Sequence, residues 1–261
     1  MEIEVRGFKY GKFGLRKEWL YQLLANGEDF FFHNTLGPRQ FEAFLYFLKD
    51  CQLIDKKKNF IELFDILKQI FKEEGIDSKI LWGIVWINLC FSSPLFRWWA
   101  NIPEGFYTRE DIINLLADSY GKRNTTIVSG YSSILETLER SPVGIYFGQG
   151  IVKREGRVRT VLKENNISDV PPLLPIYNLY KLSKETGEYR FNIKDIEDIT
   201  LSPQKILSLS SKKVESILGM SQVIDFFDID FGERKNYIVL KNKLEPIDIL
   251  KQYWGGKLSE V

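Results

Sequence analysis

Phe106 to Lys163 limits the possible folds of this chain more than any other stretch. Thr108 with Asp111 three residues later has the form of a capping box. Ile112, Ile113, Leu115 and Leu116 give an apolar inner face, and Tyr120-Gly121 stops the helix. Lys122 and Arg123 fall in a tight turn. Thr125 or Thr126 can cap the next helix, in which Ile127, Tyr131, Ile134, Leu135 and Leu138 recur with a period near 3.6 until Ser141-Pro142. A β-hairpin over Ile145 to Lys163 follows, turning at Glu155-Gly156 because glycine accepts φ > 0. Val158 to Asn165 also fits a helix, and the residues leave both readings open. Helix, tight turn, helix and hairpin is the order of a winged helix-turn-helix.

Charge is concentrated in the same stretch. The hairpin holds Lys153, Arg154, Arg157, Arg159 and Lys163 against the single acid Glu155, in a chain whose formal net charge is only +1. A nucleic-acid surface on such a chain has to be local. In a helix-turn-helix the second helix leads into the major groove with its N-terminal end. Here that end carries Lys122 and Arg123, followed by the small or polar face Ser129, Ser132, Ser133, Glu136 and Arg140. Val158, Thr160 and Leu162 alternate with Arg157, Arg159 and Val161, so one face can be buried while two arginines stay wet. The expected phosphate contacts are Lys122, Arg123, Lys153, Arg154, Arg157 and Arg159.

The remaining pattern is mainly helical. Leu15, Trp19, Leu20, Leu23 and Leu24 predict a helix ended by Gly27, and Gly37-Pro38 opens another with Phe41, Phe44, Leu45 and Leu48 as its stripe. This pair is a second helix-turn-helix candidate, with Arg39 near its second start as a further DNA contact. A helix over Phe60 to Glu74 ends at Gly75. Ile80 to Phe91 is apolar but short of the roughly 20 residues that span a bilayer, so it reads as a buried helix. Phe96-Arg97-Trp98-Trp99 fits a core plug capped by Arg97 better than a stacking platform for a base. Beyond Pro171-Pro172 and Pro175 come a Thr186-Gly187 turn, short helices from Ser202-Pro203 and Ser211, a hairpin from Val223 to Lys241, and a helix from Pro246 to Trp254. The expected class is mainly α with small β-hairpins, an α+β chain with winged helix-turn-helix modules around a helical core. The expected domains are residues 1–105, 106–170 and 171–261.

Some chemistry is disfavoured by absence. His33 is the only histidine, although acid–base catalysis and transition-metal ligation lean on that residue. Cys51 and Cys90 are too few for a disulfide framework or a zinc knuckle, and their apolar settings suit reduced core thiols of a cytoplasmic protein. The start, MEIEVRGFKYGKF, has no apolar core for a secretory signal, and no membrane association is expected. Phosphate-loop and Rossmann fingerprints are missing, Gly148-Gln149-Gly150 fits a strand bend, and Ser129, Ser132 and Ser133 have no histidine nearby. Asp225, Asp228, Asp230, Glu233 and Lys235 invite comparison with a Mg²⁺-dependent nuclease. The acids alternate with Phe226, Ile229 and Phe231 like the wet face of a strand, Asp225 projects away from Asp228 and Asp230, and Glu233 to Lys235 is a hairpin turn. Asp228, Asp230, Glu233 and Lys235 remain the catalytic candidates, no metal set is expected otherwise, and no cofactor is required unless nicking holds.

Four stretches carry a likeness to a known family: Phe13-Gly14-Leu15-Arg16 with Trp19-Leu20; Leu36-Gly37 leading to Leu53-Ile54; Leu81-Trp82 through Arg97-Trp98-Trp99 and Phe106-Tyr107-Thr108-Arg109; and Leu179 to Ile196 with Gly187 and Phe191. The chain resembles a bacterial family found in DNA phosphorothioation gene neighbourhoods, beside proteins similar to phosphoadenosine phosphosulfate reductase. One branch is the nicking component of the Ssp-type system. Where that resemblance implies a Gly-His-Glu-Thr-Phe-like lead-in, this chain has Lys9-Tyr10-Gly11-Lys12-Phe13, with Tyr10 at the histidine position and Gly11 at the acid position. The resemblance implies a DNA-binding component of a modification or restriction system, with double-stranded DNA and a reductase-like protein as partners. A metal-dependent nicking endonuclease and a protein-interaction module are the alternatives.

Overall fold

The computed structural model describes residues 8–156, 158–165, 167, 169–220, 223–231, 236–241 and 243–258. It divides into two compact units, Met1–Glu164 and Asn165–Val261. The sequence boundaries at 105/106 and 170/171 stand beside this single division.

The first unit opens with α1 (Lys17–Asn26), a 3-10 turn (Gly27–Phe31), α2 (Pro38–Asp50) and α3 (Glu62–Glu74). Gly27 closes α1 at φ 60, and the Gly37 amide at the start of α2 donates to Gln40 Oε1 at 3.1 Å. The apolar run becomes α4 (Lys79–Ser92), buried on every side from Ile80 to Phe91 because apolar residues surround its whole circumference. Its start is capped by Ser78, whose Oγ accepts from the Leu81 amide at 3.2 Å. The next helix, α5 (Pro94–Asn101), buries Phe96 and Trp99 while Arg97 donates to the terminal carbonyls of Cys90 and Phe91. The aromatic knot is therefore a core plug with an arginine cap. Among the described residues no single helix is long and apolar enough to cross a membrane.

The remainder of this unit is β1 (Gly105–Thr108), α6 (Arg109–Tyr120), α7 (Thr125–Arg140), the single turn α8 (Val143–Tyr146), β2 (Ile151–Glu155) and β3 (Val158–Lys163). Thr108 and Asp111 form the expected capping box, with the Thr108 amide donating to Asp111 Oδ2 at 2.8 Å. The cap of α7 is Asn124 rather than either threonine; its extended backbone lets Oδ1 accept from the Ile127 amide at 2.9 Å. Val158 to Lys163 is strand, so the helical alternative there is set aside. Gly105–Thr108 is a strand that periodicity gave no sign of, being only four residues long. It pairs antiparallel with β3, giving a sheet of order β1-β3-β2.

The hairpin faces fall opposite to the expectation. Val161 is 1% exposed and Val158 59%, so the face shared by Val161, Arg159 and Lys163 is the one turned inward. Lys163 is buried at 4%, and its ammonium donates to the carbonyls of Trp99 at 2.6 Å and Ala100 at 3.0 Å. Those are carbonyls near the C-terminal end of α5, where a cation also meets the negative end of the helix dipole.

The second unit contains α9 (Leu173–Thr186), β4 (Arg190–Asn192), α10 (Pro203–Ile206), α11 (Ser211–Leu218), β5 (Phe227–Phe231), β6 (Asn236–Leu240) and α12 (Pro246–Leu258). Gly187 ends α9 in the left-handed region at φ 77, and Ser202 and Ser210 cap the two short helices. The expected hairpin pairs β5 with β6, and β4 adds to β6 to give a second three-stranded antiparallel sheet of order β4-β6-β5. The fold is mainly helical with two small antiparallel sheets.

Candidate functional site

The hairpin cations mostly meet partners within the protein. Glu139 of α7 holds both Arg154, whose Nε donates to Oε1 at 2.5 Å, and Arg159 at 3.6 Å. Arg154 and Arg159 are cross-strand partners, so one carboxylate spans the two strands of the hairpin. Arg123 pairs with Glu110 at 2.7 Å, and Glu110 also takes Arg109 at 2.5 Å. The Glu110 carboxyl lies below its ordinary range, first because Arg123 hydrogen-bonds it and then through Arg109. Arg39, Lys122 and Lys153 are exposed and make no ion pair among the described residues. Arg157 lies outside the described residues.

These ion pairs border a pocket of about 500 Å³. One wall is the segment ahead of α1, through Lys12, Phe13 and Arg16. A second is the face of α7, through Tyr131, Ser132, Leu135 and Glu136. Arg109 at the start of α6 and Arg159 of β3 complete it. The first wall is pinned at Gly14, where a Cβ would lie 2.2 Å from the Thr137 amide nitrogen. Beside it the Leu15 amide donates to Thr137 Oγ1 at 3.0 Å, and Arg16 pairs with Glu136 at 2.6 Å. The ring of Phe8 lies against Gly130. Phe8 to Arg16 therefore lies along the middle of α7, and Ser133 is fully buried. The polar face that sequence offered to a major groove is open only in part.

The lining has four cations, Lys12, Arg16, Arg109 and Arg159, against the single carboxylate Glu136. Arg109 lies over the Tyr131 ring at 5.7 Å. Burial raises the Tyr131 phenol, with Arg109 and Arg159 opposing, so it stays protonated at neutral pH. Of the expected contacts only Arg159 lines this pocket. Local charge did not single out Lys12, Arg16 or Arg109, although Phe13-Gly14-Leu15-Arg16 and Phe106-Tyr107-Thr108-Arg109 both appear in the family likeness and meet here, while Glu136 was read on the polar face of α7 and Tyr131 on its apolar stripe.

Tyr10, where the resemblance led to the expectation of a histidine, is 1% exposed and stacks on Phe47 with ring centroids 4.1 Å apart. Its hydroxyl donates to Asp50, which also takes Lys9 at 2.8 Å. Burial and the Asp50 charge hold the phenol well above its ordinary value, so it remains a donor. In this chain that position belongs to the core. His33 is exposed.

Asp228 and Asp230 are exposed on one face of β5. Asp230 is bound by Arg190 at 2.7 Å. Asp225 sits in the preceding 3-10 turn, offering its backbone carbonyl to Lys241. Glu233 and Lys235 lie outside the described residues. No group of three or more His, Cys, Asp or Glu side chains comes together among the described residues.

No protein-family model matches this sequence, and no curated protein matches it. The fold is similar to that of solved structures. A magnesium-ion-bound crystal structure of SspB aligns with a TM-score of 0.69 at 10% identity, covering 95% of this chain and 86% of that one. A second SspB crystal structure gives 0.67 with the same identity and coverage. At this identity the likeness is one of fold. Magnesium takes several oxygen ligands in near-octahedral order. It can be held by as few as one or two protein carboxylates beside water, and of the two on β5 Asp230 is already bound by Arg190 at 2.7 Å.

Proposed function

We propose that this chain is a DNA-binding component of a phosphorothioation-type modification or restriction system. The observation that carries the reading is the pocket with four cations and one carboxylate where the N-terminal segment, α6, α7 and β3 meet. Guanidinium and ammonium groups in that proportion suit phosphate oxygens. The order β1-α6-α7-α8-β2-β3, with β3 between β1 and β2, supports reading this part as a winged helix whose wing is the β2–β3 hairpin. Because Phe8 to Arg16 covers the middle of α7, DNA engages through its backbone around the pocket rim. Lys122 and Arg123 contact it at the N-terminal end of α7 and Lys153, Arg154 and Arg159 on the wing, and Arg157, outside the described residues, is a further expected contact. Arg39 offers a separate, weaker contact. The family likeness in sequence and the SspB-like fold support the choice of system, and the reductase-like partner is to be sought by co-purification without DNA.

Fluorescence anisotropy of labelled duplex against salt tests the binding. Affinity falls as salt rises, with a log–log slope of about −0.9 per phosphate neutralised. Lys12→Gln, Arg109→Gln and Arg159→Gln together make that slope shallower by about 2.7 units if each cation meets one phosphate. A flat salt response, or unchanged binding in the triple variant, overturns the proposal. Supercoiled plasmid with Mg²⁺ discriminates the nicking alternative: conversion to open circles that Asp228→Ala and Asp230→Ala abolish would replace the binding reading with a catalytic one.

A further inference from the structure

The pocket carries more detail than duplex binding needs. Its volume of about 500 Å³ falls within the roughly 300–1,000 Å³ of sites that hold one small molecule. A stacked base pair cannot enter a space of that size, but a single unstacked nucleotide can. The chemistry of the lining divides in the same way as a nucleotide. Lys12, Arg16, Arg109 and Arg159 supply positive charge, whereas Phe13, Tyr131 and Leu135 supply flat or apolar surface. Inorganic phosphate would use only the first set, and a bare base only the second.

The walls are also held before any ligand arrives. The close approach at Gly14 and the bond from the Leu15 amide to Thr137 seat Phe13 and Arg16 against α7. Arg109 is held by Glu110 at 2.5 Å and by the Tyr131 ring. A site ordered in advance avoids much of the entropy cost of ordering on binding. Lys12 is exposed and has no ion-pair partner among the described residues, leaving its ammonium free for a phosphate. Arg159 is bound loosely, at 3.6 Å from Glu139, and can lean toward a second anion.

We infer that this pocket receives one deoxynucleotide unit, its phosphate on Lys12, Arg109 and Arg159 and its base against Phe13. The inference rests on the DNA-binding reading, which makes the source a strand-end or extruded nucleotide of bound DNA rather than a free metabolite. Base–aromatic stacking tolerates any of the four bases, so the pocket reads the presence of an unstacked nucleotide and not its identity.

Calorimetric titration of the full chain with dAMP, deoxyadenosine and inorganic phosphate tests the pocket. The expected result is dAMP binding at least about tenfold tighter than either fragment, since both halves contribute. Lys12→Gln with Arg159→Gln weakens dAMP by about tenfold or more. Phe13→Leu weakens dAMP several-fold and leaves phosphate unchanged. Both variants keep the wild-type thermal midpoint to within about 3 °C, Lys12 and Arg159 being on the rim and Phe13 half-buried. Equal binding of phosphate and dAMP, or dAMP binding untouched by these variants, overturns the inference. A duplex with 2-aminopurine at a recessed 5′ end identifies the source: its fluorescence rises on wild-type protein and not on Phe13→Leu. Duplex binding without dAMP binding and without that rise overturns the pocket and leaves the DNA reading standing. Tight dAMP binding without duplex binding overturns the DNA reading and assigns the pocket to free nucleotides.

Discussion

Gly14→Ala tests the seating of the N-terminal segment on α7, on which the pocket depends. The added Cβ would lie 2.2 Å from Thr137 N, 2.5 Å from Glu136 C and 2.6 Å from Glu136 Cβ. Two of these are backbone atoms in mid-helix and cannot swing aside as a side-chain tip can. The segment must retreat by about 1 Å to restore van der Waals distance. That stretches the 3.0 Å bond from the Leu15 amide to Thr137 Oγ1 past useful length. Overpacking costs about 1–3 kcal/mol and the lost buried hydrogen bond about 1 kcal/mol. The lower entropy of an unfolded alanine returns about 0.4–1 kcal/mol. The net loss is about 1–3.6 kcal/mol, a fall of roughly 2–14 °C in the thermal midpoint for a unit of this size. Lys12 and Phe13 move with the segment, so dAMP affinity falls by about tenfold or more in the same variant. Differential scanning calorimetry and dAMP titration read the two effects. Gly11→Asn is the control, because Gly11 sits at φ +58 with nothing within 4 Å of a built Cβ and asparagine tolerates that conformation. A midpoint within about 1 °C of wild type for Gly14→Ala would refute the close seating and the pocket wall built on it.

Three further outcomes are expected. Glu139→Gln releases Arg154 and Arg159, so duplex affinity rises about 2–5-fold and the salt slope steepens by about one to two units, measured by anisotropy; weaker binding would make Glu139 a positioning residue instead. Lys163→Met strips the Trp99 and Ala100 carbonyls of a buried donor and costs about 2–4 kcal/mol in urea unfolding, while duplex affinity of the folded protein stays within about twofold; selective loss of binding would add Lys163 to the DNA contacts. Burial pushes the Lys181 ammonium down to about 8. Below that pH both folded and unfolded chains carry the proton and the burial penalty is complete. As pH rises from 8 toward the ordinary value near 10.4, the folded state alone loses it and stability increases. Thermal midpoints across that window should climb in wild type and flatten in Lys181→Met.

The helices were legible wherever periodicity and a cap agreed. Thr108 with Asp111, Gly27, Gly37-Pro38 and Ser202-Pro203 all mark real ends, because each satisfies backbone groups that a helix terminus leaves open, whereas Thr186-Gly187, read only as a turn, closes the unforeseen helix α9. The hairpin turn at Gly156 was legible for a similar local reason. Its facing was not, because Val158, Thr160 and Leu162 are as apolar as the inward set of Val161 with two cations beside it. Which face turns inward is decided by α7 and by the carbonyls of Trp99 and Ala100, which lie far from β3 in sequence. The strand Gly105–Thr108 is too short to show a period and exists because β3 offers it an edge.

Charge counted along the chain and charge gathered in space pick out different residues, for a physical reason. A run of like charges seen in sequence is a count before pairing. Folding applies Glu139 to Arg154 and Arg159, Glu110 to Arg123, and two carbonyls to Lys163, and most of the apparent excess on the hairpin is used internally. The pocket's charge is assembled from three places that carry one or two cations each: Lys12 and Arg16 before α1, Arg109 after a capping threonine, and Arg159 on β3. None of these is conspicuous locally. The retained excess is more useful to a ligand than the hairpin's would have been. Cations facing one enclosed volume act together on a single phosphate, whereas cations strung along a strand are separated by solvent and screened over about 8–10 Å at ordinary salt. Glu136 is the carboxylate of the lining, 2.6 Å from Arg16, while Glu110 and Glu139 hold Arg109 and Arg159 from outside it. Glu136→Gln should therefore strengthen phosphate and dAMP binding alike, by a few-fold at low salt and less as salt rises. Titration at two ionic strengths measures it, and equal affinities for wild type and variant at both would show that the pocket's field is not what holds the anion.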